Sequence, residues 1–145
     1  DPITVLRETV DSLKGKYDVL VGAFHLGRNG EYGSTGGVIE IAKQIPEFDL
    51  IFGGHEHARY ATEIEGQNGD KTWIIEPGAY GWALAVGEVQ VKKENDSWKV
   101  VSVKAENRET FKRMYRPFND PAKTMGYIAV HSRKAADAAV GEQSA

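Results

Sequence analysis

The sequence contains no cysteine, which excludes disulfide bonds, zinc–thiolate sites and thiol catalysis. It has no apolar run near the ~20 residues of a membrane span, and no signal peptide is visible. Positive charge is not in excess: the net charge is -3 and the pI is near 5.8, so a surface for a nucleic-acid polymer is not expected. The chain opens with Asp1-Pro2 rather than Met, which is typical of a processed protein or an excised segment.

The first third of the chain alternates helical and extended patterns. A length of 145 residues suits one domain or most of one. Apolar spacing predicts a helix over 1–14, capped by Asp1, and a short helix over 37–45. Residues 17–24 and 48–53 are nearly continuous apolar runs, typical of strands buried on both faces. The order helix–strand–helix–strand predicts parallel strands in an α/β layer.

The segments that follow have the pattern of antiparallel strands. Turn residues separate four predicted strands, at 59–64, 71–76, 83–93 and 97–105. Apolar and polar residues alternate along the last two, which predicts an antiparallel hairpin with one packed face. A break at 107–120 precedes a last predicted helix over 121–139. We therefore expect an α/β stretch that runs into an antiparallel meander within one sheet system.

Three of the four histidines follow a predicted strand, in glycine-rich loops. His25 follows the first strand, and His55 and His57 follow the second. Carboxyl ends of parallel strands lie at one edge of the sheet, where such sheets bind ligands, so we expect the three imidazoles to converge. In an extended segment, side-chain alternation would put His55 and His57 on one side and Glu56 on the other. Imidazole binds zinc, manganese, iron and nickel, and the pattern indicates a metal site as readily as solvated loop histidines.

Other polar and aromatic residues near these loops allow more than one interpretation. His131, on the flank of the last predicted helix, is interpreted as a surface residue. Arg28 and Tyr32 follow His25, and an arginine there either meets a phosphate or stays solvated. Tyr80 and Trp82 could stack on a base, although a tryptophan at a strand start favours a structural role.

Four motifs carry a resemblance to a known family. They appear in this order: Phe-His-Leu-Gly at 24–27, Ile-Ala-Lys-Gln-Ile-Pro at 41–46, Phe-Asp-Leu-Ile-Phe-Gly-Gly-His-Glu-His at 48–57 and Glu-Pro-Gly-Ala-Tyr-Gly at 76–81. Together they resemble the second half of the calcineurin-like metallophosphoesterase domain of the 5′-nucleotidase family. That family includes the 2′,3′-cyclic-nucleotide phosphodiesterases. The resemblance extends over 1–105 and, more loosely, over the last predicted helix.

The resemblance implies a fold, a metal centre and a substrate class. The fold is α/β: the C-terminal half of a four-layer α/β/β/α sandwich over 1–113. A linker helix at 114–145 would lead toward an absent C-terminal nucleotide-binding domain. In that family two divalent ions, zinc or manganese, activate a water and clamp phosphoryl oxygens. The resemblance implies that His25 and His55 bind one ion and His57 the other, that the substrate is a nucleotide, and that the protein is periplasmic, on the cell surface or secreted.

The sequence departs from the family mainly by what it lacks. The family's Asp-x-His, its Gly-Asp with the bridging carboxylate and its Gly-Asn-His all lie N-terminal to the matched part, and this sequence has no Asp-x-His and no Asn-His. The resemblance therefore implies a fragment of a two-metal phosphohydrolase, inactive alone, with no catalytic residue assigned in it. We expect it to pair with a missing N-terminal half-domain or with itself. A non-catalytic binding module and a mononuclear metal-binding protein of the same fold remain alternatives.

Overall fold

The computed structural model of the chain describes residues 1–30 and 36–110. The elements in chain order are α1 (Pro2–Leu13), β1 (Val21–Ala23), α2 (Val38–Gln44), β2 (Leu50–Phe52), β3 (Arg59–Glu65), β4 (Lys71–Pro77), β5 (Ala83–Glu94) and β6 (Ser97–Glu109). The predicted linker at 114–145, with His131, and the loop residue Tyr32 lie outside the described residues. Within the described ranges, no helix has the length and apolar character needed to cross a membrane.

Helix α1 forms where the sequence predicts it. The carboxylate of Asp1 accepts a hydrogen bond from the backbone N–H of Ile3 at 3.1 Å, which satisfies one of the free donors at the helix start. The helix ends at Leu13, and Gly15 then adopts a left-handed backbone with φ of 74°. Val10, only 2% exposed, buries the apolar stripe against the core.

Strands β1 and β2 are parallel neighbours, as predicted, with Val21 beside Leu50. Helix α2 connects them and buries Val38 and Ile41 completely. Each strand is only three residues long, shorter than the predicted runs. The prediction that 17–24 is buried on both faces is wrong, since Val21 is 47% exposed. The reason is that β1 lies at the edge of its sheet.

The remaining strands divide between two sheets. The first sheet has the order β1-β2-β4-β3, with β4 parallel to β2 and β3 antiparallel to β4. Strands β5 and β6 form a separate two-stranded hairpin that turns at Asn95-Asp96, both with positive φ, as a tight hairpin requires. All four predicted strands are confirmed, but the expectation of one sheet system is wrong. Strand β4 lies between β2 and β3, and this central position leaves Ile74 and Ile75 both 0% exposed.

The described elements form three layers. Helices α1 and α2 cover one face of the four-stranded sheet through Ile51 and Ile74. The hairpin covers the other face at Gly87, where a Cβ would overlap a side-chain carbon of Leu50. Only glycine permits this approach of the two sheets. The predicted α/β class, with parallel strands followed by antiparallel pairs, is confirmed.

Candidate functional site

Two predicted site histidines meet at the carboxyl edge of the four-stranded sheet. His25 follows β1 and His55 follows β2, and their Nε2 and Nδ1 atoms are 3.3 Å apart. The rings are nearly perpendicular, with centroids 5.1 Å apart. A Cβ on Gly54 would lie 3.4 Å from Nδ1 of His25, so a glycine lets the second loop pass close to the first histidine. The parallel pairing of β1 and β2 thus brings these two imidazoles together.

The third predicted ligand, His57, contacts an aromatic side chain. Its ring meets the ring of Tyr80 edge-on, with centroids 5.6 Å apart and an interplanar angle of 68°. Within 1–30 and 36–110, no group of three or more His, Cys, Asp or Glu side chains has an arrangement suited to hold a metal ion. The assignment of His25, His55 and His57 as metal ligands therefore stays a prediction.

The His-x-His segment is bent. His55 has φ of 85° and His57 has φ of 56°, both in the left-handed region. The expectation that side-chain alternation directs the two rings is therefore wrong, because alternation requires an extended backbone. Left-handed backbone at a residue other than glycine costs of order 1–3 kcal/mol, and such strain concentrates at binding and catalytic sites. Glu56, exposed, lies against Gly27 in the first loop.

The donor chemistry of the His25–His55 pair fits one metal ion. Nitrogen ligands of a tetrahedral zinc ion lie at about 2.0–2.1 Å from the metal, which places two such nitrogens about 3.3–3.4 Å from each other. The 3.3 Å between the two ring nitrogens matches that separation. An all-imidazole pair suits zinc, manganese, iron or nickel.

A buried carboxylate, which the sequence reasoning missed, supports the His-x-His loop. Glu76 is 1% exposed, and its Oε1 accepts a hydrogen bond from the N–H of Ala58, directly after His57, at 3.1 Å. Burial raises the pKa of the Glu76 carboxyl, and the Ala58 N–H opposes that rise. The Oε2 of Glu76 and the hydroxyl of Tyr60 are buried with no hydrogen-bond partner among the described residues. An acidic residue at the end of an apolar strand is the feature that could have pointed to it.

Arg28 is folded into this cluster. Its guanidinium carbon lies 4.7 Å from the centre of the Tyr60 ring, and its Nε is buried without a partner in the described part of the chain. The interpretation of Arg28 as a solvated loop residue is wrong. Its loop folds back because the N–H groups of Val38 and Ile39 donate to the carbonyls of Gly27 and Arg28, both at 3.1 Å. Burial first, and then the charge of the neighbouring carboxylate, raise the pKa of Tyr60.

Two aromatic residues near the site have packing roles. Phe24, before the first histidine, packs edge-on against Phe48 with centroids 5.7 Å apart. Trp82 is half-buried, and its backbone N–H donates to the carbonyl of Ala79 at 3.0 Å, in keeping with the structural role favoured from sequence.

Comparison with known sequences points to phosphoesterases over part of their length. No protein-family model matches the chain. The trifunctional nucleotide phosphoesterase protein YfkN of Bacillus subtilis is 26% identical over an alignment of 117 residues that covers 72% of this chain. An uncharacterized protein of Haemophilus influenzae is 58% identical over 33 residues, or 23% of this chain. The chain spans 8% and 13% of the lengths of these two proteins.

Comparison with solved structures identifies the fold. The calcineurin-like phosphoesterase YfkN from Bacillus subtilis superposes with a TM-score of 0.63 at 20% identity, over 92% of this chain and 43% of that one. The 5′-nucleotidase precursor from Thermus thermophilus gives a TM-score of 0.61 at 19% identity, over 75% of this chain and 22% of that one. The chain therefore has the fold of part of a calcineurin-like phosphoesterase domain, and the resemblance inferred from its motifs is confirmed at the level of the fold.

Proposed function

We propose that this chain is part of a two-metal phosphohydrolase that acts on nucleotides, of the 5′-nucleotidase or 2′,3′-cyclic-nucleotide phosphodiesterase type. The observation that carries the proposal is the 3.3 Å approach of His25 Nε2 and His55 Nδ1 at the ends of two adjacent parallel strands. The fold shared with phosphoesterases, and the nucleotide named for the YfkN relative, support this substrate class.

The roles of the residues follow from their positions. His25 and His55 would hold one ion and His57 the other, each as a neutral imidazole. When bound, such ions lower the pKa of a water molecule and neutralise phosphoryl oxygens. Glu76 fixes the backbone after His57 through the Ala58 N–H, and so sets where the His-x-His loop lies. Replacing a residue that fixes a metal ligand in this way typically lowers metal affinity about 10–100-fold.

The proposal includes a missing half of the site. Three neutral imidazoles offer no negative charge to balance two divalent ions, so the isolated chain is proposed to be inactive. The exposed edge strand β1, with Val21 47% exposed, supports pairing with an N-terminal half-domain or with a second copy. Light scattering of the isolated chain should give a mass above the 16.0 kDa of one chain. A stable, folded monomer would contradict this part of the proposal.

The experiment that tests the function uses the full-length protein. Metal is removed with a chelator, zinc or manganese is added back, and hydrolysis of AMP and 2′,3′-cyclic AMP is measured together with bound metal. We expect activity to return with two ions per chain. His25→Ala and His55→Ala should lose one ion and His57→Ala the other, with His131→Ala as the control. Hydrolysis that continues unchanged without metal would refute the assignment.

A mononuclear centre is the second candidate. It is favoured by the contact of His57 with Tyr80 rather than with the His25–His55 pair. The same metal analysis separates the two: a mononuclear centre binds one ion per chain, loses it in His25→Ala and keeps it in His57→Ala.

We propose a location outside the cytoplasm, in the periplasm, on the cell surface or secreted. The description of the Thermus relative as a precursor supports this. Fractionation of cells that express the full-length protein tests it, and recovery in the cytoplasmic fraction alone would contradict it.

A further inference from the structure

A contact between a cation and an aromatic ring joins the two loops that carry the candidate metal ligands. Arg28 is the third residue after His25 in the first loop, and Tyr60 is the third residue after His57, at the start of β3. The guanidinium carbon of Arg28 lies 4.7 Å from the centre of the Tyr60 ring. This contact therefore ties the chain just beyond one histidine to the chain just beyond the other.

The position of the Tyr60 ring is set by the chain on both sides of the second loop. A Cβ on Gly53, at the start of that loop, would lie 2.7 Å from the hydroxyl oxygen of Tyr60, so glycine leaves room for the tip of the ring. In the register of β3 and β4, Tyr60 lies opposite Glu76, which accepts a hydrogen bond from the N–H of Ala58 at 3.1 Å. The ring therefore spans from the first loop to the start of the second.

The two loops meet at a second point as well. A Cβ on Gly27 would lie 2.5 Å from Oε1 of Glu56, so a residue without a side chain lets Glu56 reach from the second loop to the first. The histidine pair adds a third approach, because Nε2 of His25 and Nδ1 of His55 are 3.3 Å apart. Contacts at separate points restrain both the distance between the loops and the rotation of one against the other.

Packing alone does not account for an arginine at position 28. The Nε of Arg28 is buried with no hydrogen-bond partner in the described part of the chain, and burying a polar group in that way is unfavourable. Methionine has a similar length and would avoid this cost. What methionine cannot supply is the attraction between a cation and a ring, which grows stronger when water is excluded.

We propose that Arg28 and Tyr60 are positioning residues that set the distance between the two metal sites. The proposal rests on the function proposed above, in which His25 and His55 bind one ion and His57 the other. Two-metal centres of this kind hold their ions about 3.5–4 Å apart, so a small movement of one loop against the other changes how the ions act together. Arg28 and Tyr60 affect the ions only through the histidines of the two loops.

Manganese binding to the full-length protein tests the proposal without relying on activity. The unchanged protein should bind two ions, and its electron paramagnetic resonance spectrum should show the magnetic coupling of two neighbouring manganese ions. Arg28→Met and Tyr60→Leu should each weaken the binding of one ion about tenfold and alter the coupling when both sites are filled. Tyr60→Phe keeps the ring and should match the unchanged protein in both measurements.

Arg7→Met is the matched control. Arg7, on α1, is also part-buried, and its guanidinium pairs with the carboxylate of Glu47 at 2.7 Å. Its replacement should lower the stability of the fold but leave the binding of both ions and their coupling unchanged. Because Arg28 and Tyr60 act through one contact, the double variant Arg28→Met, Tyr60→Leu should bind metal no more weakly than Tyr60→Leu alone.

The outcomes separate this positioning role from the function itself. Unchanged affinity and coupling in Arg28→Met would overturn the positioning role and leave the two-metal function standing. Equal weakening of metal binding in Arg28→Met and Arg7→Met would also overturn it, because a general loss of stability would then explain both. A single ion in the unchanged protein would refute the two-metal function, and the positioning role with it.

Discussion

The two ends of the four-stranded sheet differ in how their buried side-chain oxygens are hydrogen-bonded. At the amino end, the hydroxyl of Thr72, 1% exposed, donates to the carbonyl of Phe48 at 2.8 Å. The N–H of Leu20 donates to the carboxylate of Asp49 at the same end, also at 2.8 Å. At the carboxyl end, Glu76 is as buried as Thr72 yet leaves one oxygen without a partner in the described ranges. Trp73 Nε1 is also buried without a partner among the described residues at the amino end, so the contrast concerns side-chain oxygens: those at the amino end are paired, and the carboxyl end retains some that the fold alone does not satisfy.

Backbone strain follows the same division. Among the described residues, five other than glycine have positive φ. Asn95 and Asp96 form the hairpin turn, where that conformation is ordinary. The other three, His55, His57 and Tyr80, all lie at the carboxyl edge. Local rules of stability are thus broken at the edge where we propose metal to bind, which is where exceptions are expected.

The largest expected effect is the loss of hydrolysis when a histidine at the carboxyl end of the sheet is replaced. In the full-length protein, His55→Ala should lower phosphoester hydrolysis by more than about 100-fold, because losing an imidazole that binds the metal loosens one ion outright. His131→Ala should leave the rate unchanged. Assays with zinc or manganese, together with metal analysis, measure both. Full activity in His55→Ala with unchanged metal content would end the assignment of this residue.

A variant at the amino end of the sheet should lower the stability of the fold and leave hydrolysis unchanged. Thr72→Val removes the hydroxyl that pairs with the buried Phe48 carbonyl, and should lower the free energy of unfolding by about 1–2 kcal/mol. Urea unfolding of this chain, compared at one protein concentration, measures the loss. In the full-length protein, hydrolysis and metal content should not change. If activity falls as it does in His55→Ala, the two ends are not separate in function.

The sequence predicts the fold well wherever one rule decides the outcome. The helix over 1–14 follows from its cap and apolar spacing, and the parallel pairing of β1 and β2 follows from the helix between them. It fails for the arrangement of sheets, because the apolar patterns of 71–76 and 83–93 do not say which of these two strands is central. The glycine at position 87, where the two sheets meet, has no distinctive pattern around it.

The site is predicted by type and position but not by conformation. Strand ends bring His25 and His55 together, as the topology predicts. The bend at His57 and the burial of Arg28 depend on contacts between loops distant in sequence, which no local pattern records. In the sequence, Glu76 has the pattern of an ordinary strand-end residue, because nothing local indicates that its carboxylate accepts a hydrogen bond from the N–H of Ala58.

A smaller effect is the backbone strain at position 55, which can be measured separately from the loss of the imidazole. Both His55→Gly and His55→Ala remove the ring, but glycine adopts φ of 85° without the steric cost that alanine retains. His55→Gly should therefore be more stable than His55→Ala by about 1 kcal/mol or less, since glycine also gains entropy when unfolded. Urea unfolding of the metal-free variants measures the difference. Gly54→Ala is not a suitable control because its Cβ approaches His25. The pair Ser97→Gly and Ser97→Ala, at a strand residue without positive φ, shows the general difference.

The smallest expected effect concerns the charge buried at the carboxyl end. Because burial raises the pKa of Glu76 in the folded chain above its ordinary value of 4.5, the folded state binds this proton more tightly than the unfolded state does. This group therefore favours folding most below pH 4.5, and that contribution is lost as the pH rises through the raised pKa. Glu76→Gln can still accept from the Ala58 N–H but has no proton to lose, so its stability relative to the unchanged chain should rise with pH and then level off. Thermal unfolding of the metal-free chain between about pH 4 and 8 measures that difference, with Glu88→Gln, exposed on the hairpin, as the control for removing one negative charge. A stability difference that is constant across this range would show that Glu76 is as well satisfied as the polar groups at the amino end, and the contrast between the two ends would then rest on backbone strain alone.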